Sequence, residues 1–258
     1  MGYKLIGCDL DGSLLSSKKE ITKDTIKKIK ELEEKGIIFI VATGRPYTGT
    51  HRYLKELDNK ELVILYNGAI IKSSKNSEII YQALLNDNDA NKIIKRIEEH
   101  DGTFIYWKDE VPYVNRIDDY INNYVKLSKV MPKLDNKEYH NITKIIWFSE
   151  NEKLVKYEKT LFNDLDNVNH FTSEPIYLEF VSKQASKEKA LKKVCEYYHI
   201  DMKDTIAIGD GANDAMMIKN AGLGVAMGNG NNQAKKYARI ITKTNDEEGV
   251  LEVLNNYL

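Results

Sequence analysis

Cysteine is nearly absent from this 258-residue chain, which has only Cys8 and Cys195. Two thiols so far apart in sequence exclude a disulfide framework and a paired-thiol metal site, and they fit a reducing cytosol. The four prolines form no linker, and there is no internal repeat or low-complexity tract. Charge of one sign is also lacking. The 38 basic and 39 acidic residues nearly cancel, so no overall field favours nucleic acid or an anionic membrane, and a small molecule is the expected partner. The longest strongly apolar run is residues 37–42, far short of the roughly 20 residues a membrane-spanning helix needs. The first residues pass directly into Tyr3-Lys4-Leu5-Ile6, with neither the basic region nor the long apolar stretch of an export signal, so a cytoplasmic protein is expected.

What is present begins with short, almost purely apolar runs at 5–8, 37–42, 62–66 and 205–208, the pattern of strands buried on both faces of a parallel sheet. Between the first two, residues 22–35 carry Ile26, Ile29 and Leu32 at helical spacing, with Gly36 as a stop. This completes a βαβ unit. Residues 186–198 repeat the helical pattern before the strand at 205. From about 84 to 184 the pattern changes. Helices are expected at 90–100, 117–127 and 153–163, and strands at 103–107, 110–115, 142–148, 168–172 and 176–181. The expected organisation is therefore an α/β core from 1–83 and 185–258, interrupted by an α+β insert at 84–184 that packs as a cap.

Polar residues follow each apolar run: Asp9 and Asp11, then Thr43-Gly44-Arg45, then Asn67-Gly68, then Asp210. In open parallel sheets the crevice beyond the carboxyl ends of the strands binds ligands, so these residues are expected to meet. Asp9 and Asp11 lie about 6.6 Å apart along an extended chain. A carboxylate there can attack phosphorus while a second acid protonates the leaving oxygen and later deprotonates water. Asp9 suits the first role and Asp11 the second. Repulsion from Asp9 is expected to raise the pKa of Asp11, and Gly12 to let the backbone turn. Taken alone, the pattern is more commonly an Asp-Gly turn with a helix or turn cap than a catalytic pair.

Thr43, Gly44 and Arg45 precede Pro46, a residue suited to the first position of a helix. The Thr43 hydroxyl and Gly44 amide are candidates for holding phosphate oxygens, and Arg45 for touching substrate or securing the loop. The run from Gly209 to Asp214 places carboxylates four residues apart at a strand-to-helix junction. Magnesium takes hard oxygen ligands and keeps several waters. Asp210 is the expected direct ligand, with Asp214 as its companion, and Asp9 and the Asp11 main-chain carbonyl complete the protein's share. Asn213 is a donor to phosphate. The transferred phosphate also needs a cation, for which Lys183, Lys187 and Lys189 compete on sequence grounds.

Together the motifs Asp9-Leu10-Asp11-Gly12-Ser13-Leu14-Leu15, Thr43-Gly44-Arg45, Asn67-Gly68-Ala69, Ser186-Lys187 and Gly209-Asp210-Gly211-Ala212-Asn213-Asp214-Ala215-Met216-Met217 resemble the haloacid dehalogenase-like hydrolase superfamily, specifically its Cof-type phosphatases, over nearly the whole chain. The resemblance implies a Rossmann-like doubly wound core with a C2-type cap. It also implies Lys187 as the phosphate-binding lysine, magnesium among Asp9, Asp11 and Asp210, and hydrolysis of a small phosphorylated metabolite through an aspartyl-phosphate. Ala226-Met227-Gly228-Asn229 resembles the loop that closes the family's site, and the run 245–250 resembles its C-terminal signature. The acidic residues of that run equally suit the first turn of the last helix. Ser13 replaces the family's usual threonine and keeps a hydroxyl expected to order the loop, and Glu248 replaces an aspartate.

A phosphomutase on the same fold and a non-catalytic binding protein are the rival expectations. A dehydrogenase is excluded because residues 222–228 lack the GxGxxG spacing. A cysteine phosphatase built on Cys8 would need an arginine where Leu14 stands. The five histidines show no zinc-type spacing.

Overall fold

The computed structural model describes residues 2–258, with backbone only at Ser173 and Glu174. The chain opens with β1 (Leu5–Asp9), α1 (Lys23–Glu34), β2 (Ile38–Ala42), α2 (Tyr47–Leu57), β3 (Leu62–Leu65), β4 (Ile70–Ser73) and β5 (Ile79–Gln82). There follow α3 (Asp87–Glu99), β6 (Thr103–Lys108), β7 (Val111–Val114), α4 (Asp119–Ser128), β8 (Lys133–Leu134), β9 (Ile142–Phe148), α5 (Asn151–Thr160), β10 (Val168–Glu174) and β11 (Tyr177–Ser182). The last part holds α6 (Lys187–Tyr197), β12 (Thr205–Gly209), α7 (Ala215–Asn220), β13 (Leu223–Ala226), α8 (Asn232–Tyr237), β14 (Ile240–Ile241) and α9 (Gly249–Tyr257). Two compact units result. One takes the chain up to Arg45, Thr50–Tyr81 and Ser186–Leu258, and the other takes Pro46–Gly49 and Gln82–Ala185.

The first unit is built on an eight-stranded sheet in the order β14-β13-β12-β1-β2-β3-β4-β5. From β14 to β3 the strands are parallel, with Leu5 opposite both Thr205 and Ile38. Every residue of β1 and β12 is buried, as expected of strands with helices on both faces. Helix α1 starts where the Thr22 hydroxyl accepts from the Thr25 amide, and stops before Gly36 at φ +82°. The strand order grows from β1 through β2 and β3 on one side and from β12 through β13 and β14 on the other. The switch point where ligands collect therefore lies between β1 and β12. The strands at residues 70–73 and 79–82 were not anticipated from the sequence. β4 folds back antiparallel to β3, with Leu65 opposite Ile70.

The second unit is a six-stranded sheet in the order β10-β11-β9-β6-β7-β8, antiparallel except where β7 pairs with β8. Alternation places Phe104, Tyr106, Ile145, Trp147, Leu178 and Phe180 in one core with Ile93, Ile94 and Ile97 of α3 and Leu154 of α5. Among the described residues, no helix is long and apolar enough to cross a membrane.

Two local expectations fail. Pro46 stands just before α2 rather than within its first turn. The acidic run does not open α9: Asn245–Glu247 form a separate 3-10 turn capped by Thr244, and Glu248 is left-handed at φ 59° before Gly249. The Asp246 carboxylate instead accepts from the Ser17 amide at 2.8 Å, bracing the loop after β1.

Candidate active site

The site begins where β1 ends. Asp9 is the last residue of that strand and is only 4% exposed. The chain then turns, with Gly12 at φ +77° and the Leu14 and Leu15 amides donating back to the Asp9 and Leu10 carbonyls. Lys187, the first residue of α6, reaches the same point, because Ser186 caps that helix by accepting from the Lys189 amide. The Lys187 ammonium donates to Asp9 Oδ1 at 2.5 Å and to Asp214 Oδ1 at 2.6 Å, with all three side chains buried. Lys187, one of the three lysines open on sequence grounds, is thus held between two carboxylates.

Asp214 is fully buried in a 3-10 turn ahead of α7. Its Oδ2 accepts from the Asp210 and Gly211 amides at 3.1 and 2.9 Å. Both of its oxygens are thus engaged, and it shapes the loop that presents Asp210. Carboxylate oxygens of Asp9, Asp210 and Asp214 come within 4.8 Å of one another. Burial pushes the pKa of Asp9 well above its ordinary value, Lys187 opposes this, and Asp214 and Asp210 add to it. Burial and then Asp214 likewise raise Asp210. Burial works against the charge on Lys187, but Asp214 and Asp9 outweigh it and hold its pKa above the usual lysine value.

Three carboxylates therefore converge on one ammonium. Asp9 Oδ2 is buried and, among the described residues, receives no hydrogen-bond donor. A Cβ on Gly12 would fall 2.3 Å from Asp210 Oδ2, so only glycine lets this loop approach so closely. A buried carboxylate oxygen without a donor and three clustered carboxylates suit a hard divalent cation.

Asp11 departs from expectation. It lies within the turn, between Leu10 and Gly12, rather than on the strand that ends at Asp9, and its side chain is not among the clustered carboxylates. Arg45 grips it with Nε and Nη2, each at 2.6 Å, and Lys19 adds a third bond at 2.8 Å. Burial acts to raise its pKa, but hydrogen bonds from Arg45 and Lys19 outweigh burial and hold the carboxyl below its ordinary value. The predicted upward shift is thus reversed, because two cations stand closer than Asp9 does. Of the two roles open to Arg45, securing the loop is the one seen. Lys19, left-handed at φ 61°, carried no signal in the sequence.

Thr43 is buried, and its Oγ1 accepts from the Arg45 amide at 3.1 Å, leaving its hydroxyl proton to donate. Gly44 follows, packed so closely that a Cβ would lie 2.9 Å from Asn67 Oδ1. Asn213 Nδ2 donates to that same oxygen at 2.9 Å. Asn229 Nδ2 donates to the Gly12 carbonyl at 2.8 Å, and its Oδ1 accepts from the Asn245 amide at 2.9 Å. Ser13 is another correction: its buried hydroxyl makes no hydrogen bond among the described residues, and main-chain bonds order the loop instead. Cys8 is fully buried, and burial raises its thiol pKa, so it is not a thiolate nucleophile.

An aspartate at a strand end thus stands beside a buried lysine and two further carboxylates at the switch point of a doubly wound sheet. Residues 6–254 match the haloacid dehalogenase-like hydrolase family. A haloacid dehalogenase-like hydrolase from Bacteroides thetaiotaomicron superimposes with a TM-score of 0.91 at 32% identity, over 99% of this chain and 100% of that one. Two Bacillus subtilis proteins are similar over nearly their full lengths. One is a phosphatase, 28% identical over 99% of this chain and 100% of its own. The other is a 5-amino-6-(5-phospho-D-ribitylamino)uracil phosphatase, 30% identical over 99% and 96%. The chain belongs to the haloacid dehalogenase-like hydrolase family, and within it is an enzyme of the phosphatase class.

Proposed function

We propose that the enzyme hydrolyses a small phosphomonoester, of sugar- or polyol-phosphate type, through an aspartyl-phosphate on Asp9. The observation that carries this reading is the Asp9 carboxylate, with one oxygen on Lys187 and the other buried and without a hydrogen-bond donor among the described residues. Thr43, Gly44, Lys187 and Asn213 hold the phosphate oxygens. Asp9, the Asp11 main-chain carbonyl and Asp210 would hold magnesium, with Asp214 as the companion that fixes the Asp210 loop. The ion supplies positive charge that offsets repulsion between the phosphate and Asp9.

In the first half-reaction an Asp9 oxygen bonds to phosphorus as the bond to the leaving oxygen breaks. That oxygen keeps the electron pair and takes a proton from the Asp11 carboxyl. In the second, the Asp11 carboxylate takes a proton from water, the water oxygen bonds to phosphorus, and the bond to Asp9 breaks to free inorganic phosphate. Asp11 must turn away from Arg45 and Lys19 to do this, since both of its oxygens are now bonded to them. Two buried, free thiols suit work in a reducing cytosol.

The test is magnesium-dependent release of phosphate from p-nitrophenyl phosphate. The wild type releases it and Asp9→Asn does not. A folded wild type that releases phosphate from no monoester in a panel of sugar and polyol phosphates refutes the proposal. The similarity to a phosphatase named for a phosphorylated ribityl compound supports including polyol phosphates in that panel.

A further inference from the structure

The segment after β3 is backbone-strained. Tyr66, Asn67 and Gly68 stand in succession at φ 49°, 57° and 96°. Asparagine tolerates the left-handed region, but a buried tyrosine does not enter it without compensation. Strain of this kind persists where the surroundings over-determine it. Here the Tyr66 and Asn67 amides donate to the Arg45 and Thr43 carbonyls at 3.1 and 3.0 Å. The turn delivers the Asn67 side chain, 8% exposed, between two loops. Its Oδ1 accepts from Asn213 Nδ2, while its carboxamide packs on the Cα of Gly44. On its other side Asn213 is confined as well, because a Cβ on Gly211 would lie 2.3 Å from Asn213 Oδ1. Gly68 abuts the start of α6, where a Cβ would lie 2.2 Å from the Ser186 carbonyl oxygen and 2.9 Å from the Lys187 amide nitrogen.

We infer that Asn67 is the positioning residue of the phosphate site. As an acceptor it fixes which end of the Asn213 amide carries the donors, and as a packed surface it sets the approach of the Gly44 backbone. One N–H of Asn213 is spent on Asn67, and the other is left with a defined direction. The inference rests on the preceding reading that Gly44 and Asn213 hold phosphate. Asn67 itself need not touch the substrate.

Glycine at position 67 removes the carboxamide while accepting the same backbone, so Asn67→Gly folds where alanine would be strained. Inorganic phosphate binding, measured by calorimetry in the presence of magnesium, needs no turnover and is compared for wild type, Asn67→Gly, Asn213→Ala and the double variant. Asn67→Gly is expected to weaken phosphate binding five- to twenty-fold and to raise KM for p-nitrophenyl phosphate by a similar factor, with kcat changed less than three-fold. The double variant should bind within two-fold of the weaker single variant, because the two residues act as one. Asn67→Asp retains the acceptor but sets a negative charge against Gly44, and should bind phosphate more weakly than Asn67→Gly. A purely structural role predicts a lowered thermal midpoint with unchanged phosphate affinity, and that result overturns the inference, as does a double variant whose loss is the product of the two single losses. Phosphate binding by a wild type that hydrolyses nothing would refute the hydrolase reading and leave this inference to be decided by the same four affinities.

Discussion

Replacing Lys187 by methionine keeps the approximate size of the side chain and removes its charge. In the wild type this ammonium makes bonds of 2.5 and 2.6 Å to Asp9 and Asp214 while 1% exposed. Removing one partner from a buried, hydrogen-bonded charge cluster costs roughly 3–5 kcal/mol. For a domain of some 150–250 residues, each kcal/mol lowers the thermal midpoint by roughly 2–4 °C. Lys187→Met should therefore melt about 6–20 °C lower at pH 7.5, whereas Lys192→Met, at an exposed position, should stay within about 0.5 kcal/mol of wild type. The deficit must also depend on pH in a definite direction. Asp9 and Asp210 already have raised pKa values, and loss of the lysine raises them further. An acid with a raised folded-state pKa contributes stability below its unfolded value, roughly 3.9, and loses it as pH rises through the folded value. The midpoint of the variant should thus recover on moving from pH 7.5 toward 5. Magnesium should also restore part of it at pH 7.5, by about 2.7 kcal/mol at one hundred times its dissociation constant. Differential scanning fluorimetry across pH, with and without magnesium, measures all three. A deficit under 2 °C, or one indifferent to both pH and magnesium, would refute the charge argument.

Arg45→Ala removes the two shortest bonds to Asp11, so in the free enzyme the Asp11 pKa should climb and the basic limb of the kcat/KM profile, set by the proton Asp11 gives to the leaving oxygen, should move to higher pH; Lys19→Ala should move it less in the same direction, and an unmoved limb in both would exclude Asp11 as the acid. Glu33 is a separate case: burial, then Glu61 and Asp58, raise its pKa to about 7. Its contribution to stability is present below the ordinary glutamate pKa and fades as pH rises through 7, so Glu33→Gln should melt above wild type beyond pH 7 and converge with it below pH 5, as thermal melts at four pH values would show.

The sheet was legible because its strands are buried on both faces, which leaves unbroken apolar runs such as those ending at Asp9 and Gly209. The polar residue after each run then located the site, since topology brings strand ends together. Side-chain partners were not legible to the same degree. Asp11 was placed beside Asp9 by spacing, yet the turn at Leu10 and Gly12 redirects it to Arg45 and to a lysine eight residues on. That choice depends on loop geometry, which no periodicity records. The antiparallel return of β4 was missed for a similar reason: the strained turn at Tyr66 and Asn67 carries no proline and only one glycine. The acidic run at 245–248 was misread because a macrodipole argument cannot distinguish a helix's first turn from a 3-10 turn just before it.

The bond between Lys187 and Asp9 joins residues 178 positions apart, and the chain returns to the first unit at Ser186, one residue before that lysine. During synthesis Asp9 emerges early and waits, without its counter-charge, until the whole insert has left the ribosome. Closing so long a loop is entropically slow unless the intervening segment has already become compact. The insert has its own sheet and core, and its early collapse would shorten the effective loop to the distance between its two ends. A slowly folding insert would then delay maturation of a site to which it contributes none of the catalytic groups assigned above, and rare codons or destabilising substitutions between residues 82 and 185 would appear as late-arriving activity rather than altered chemistry.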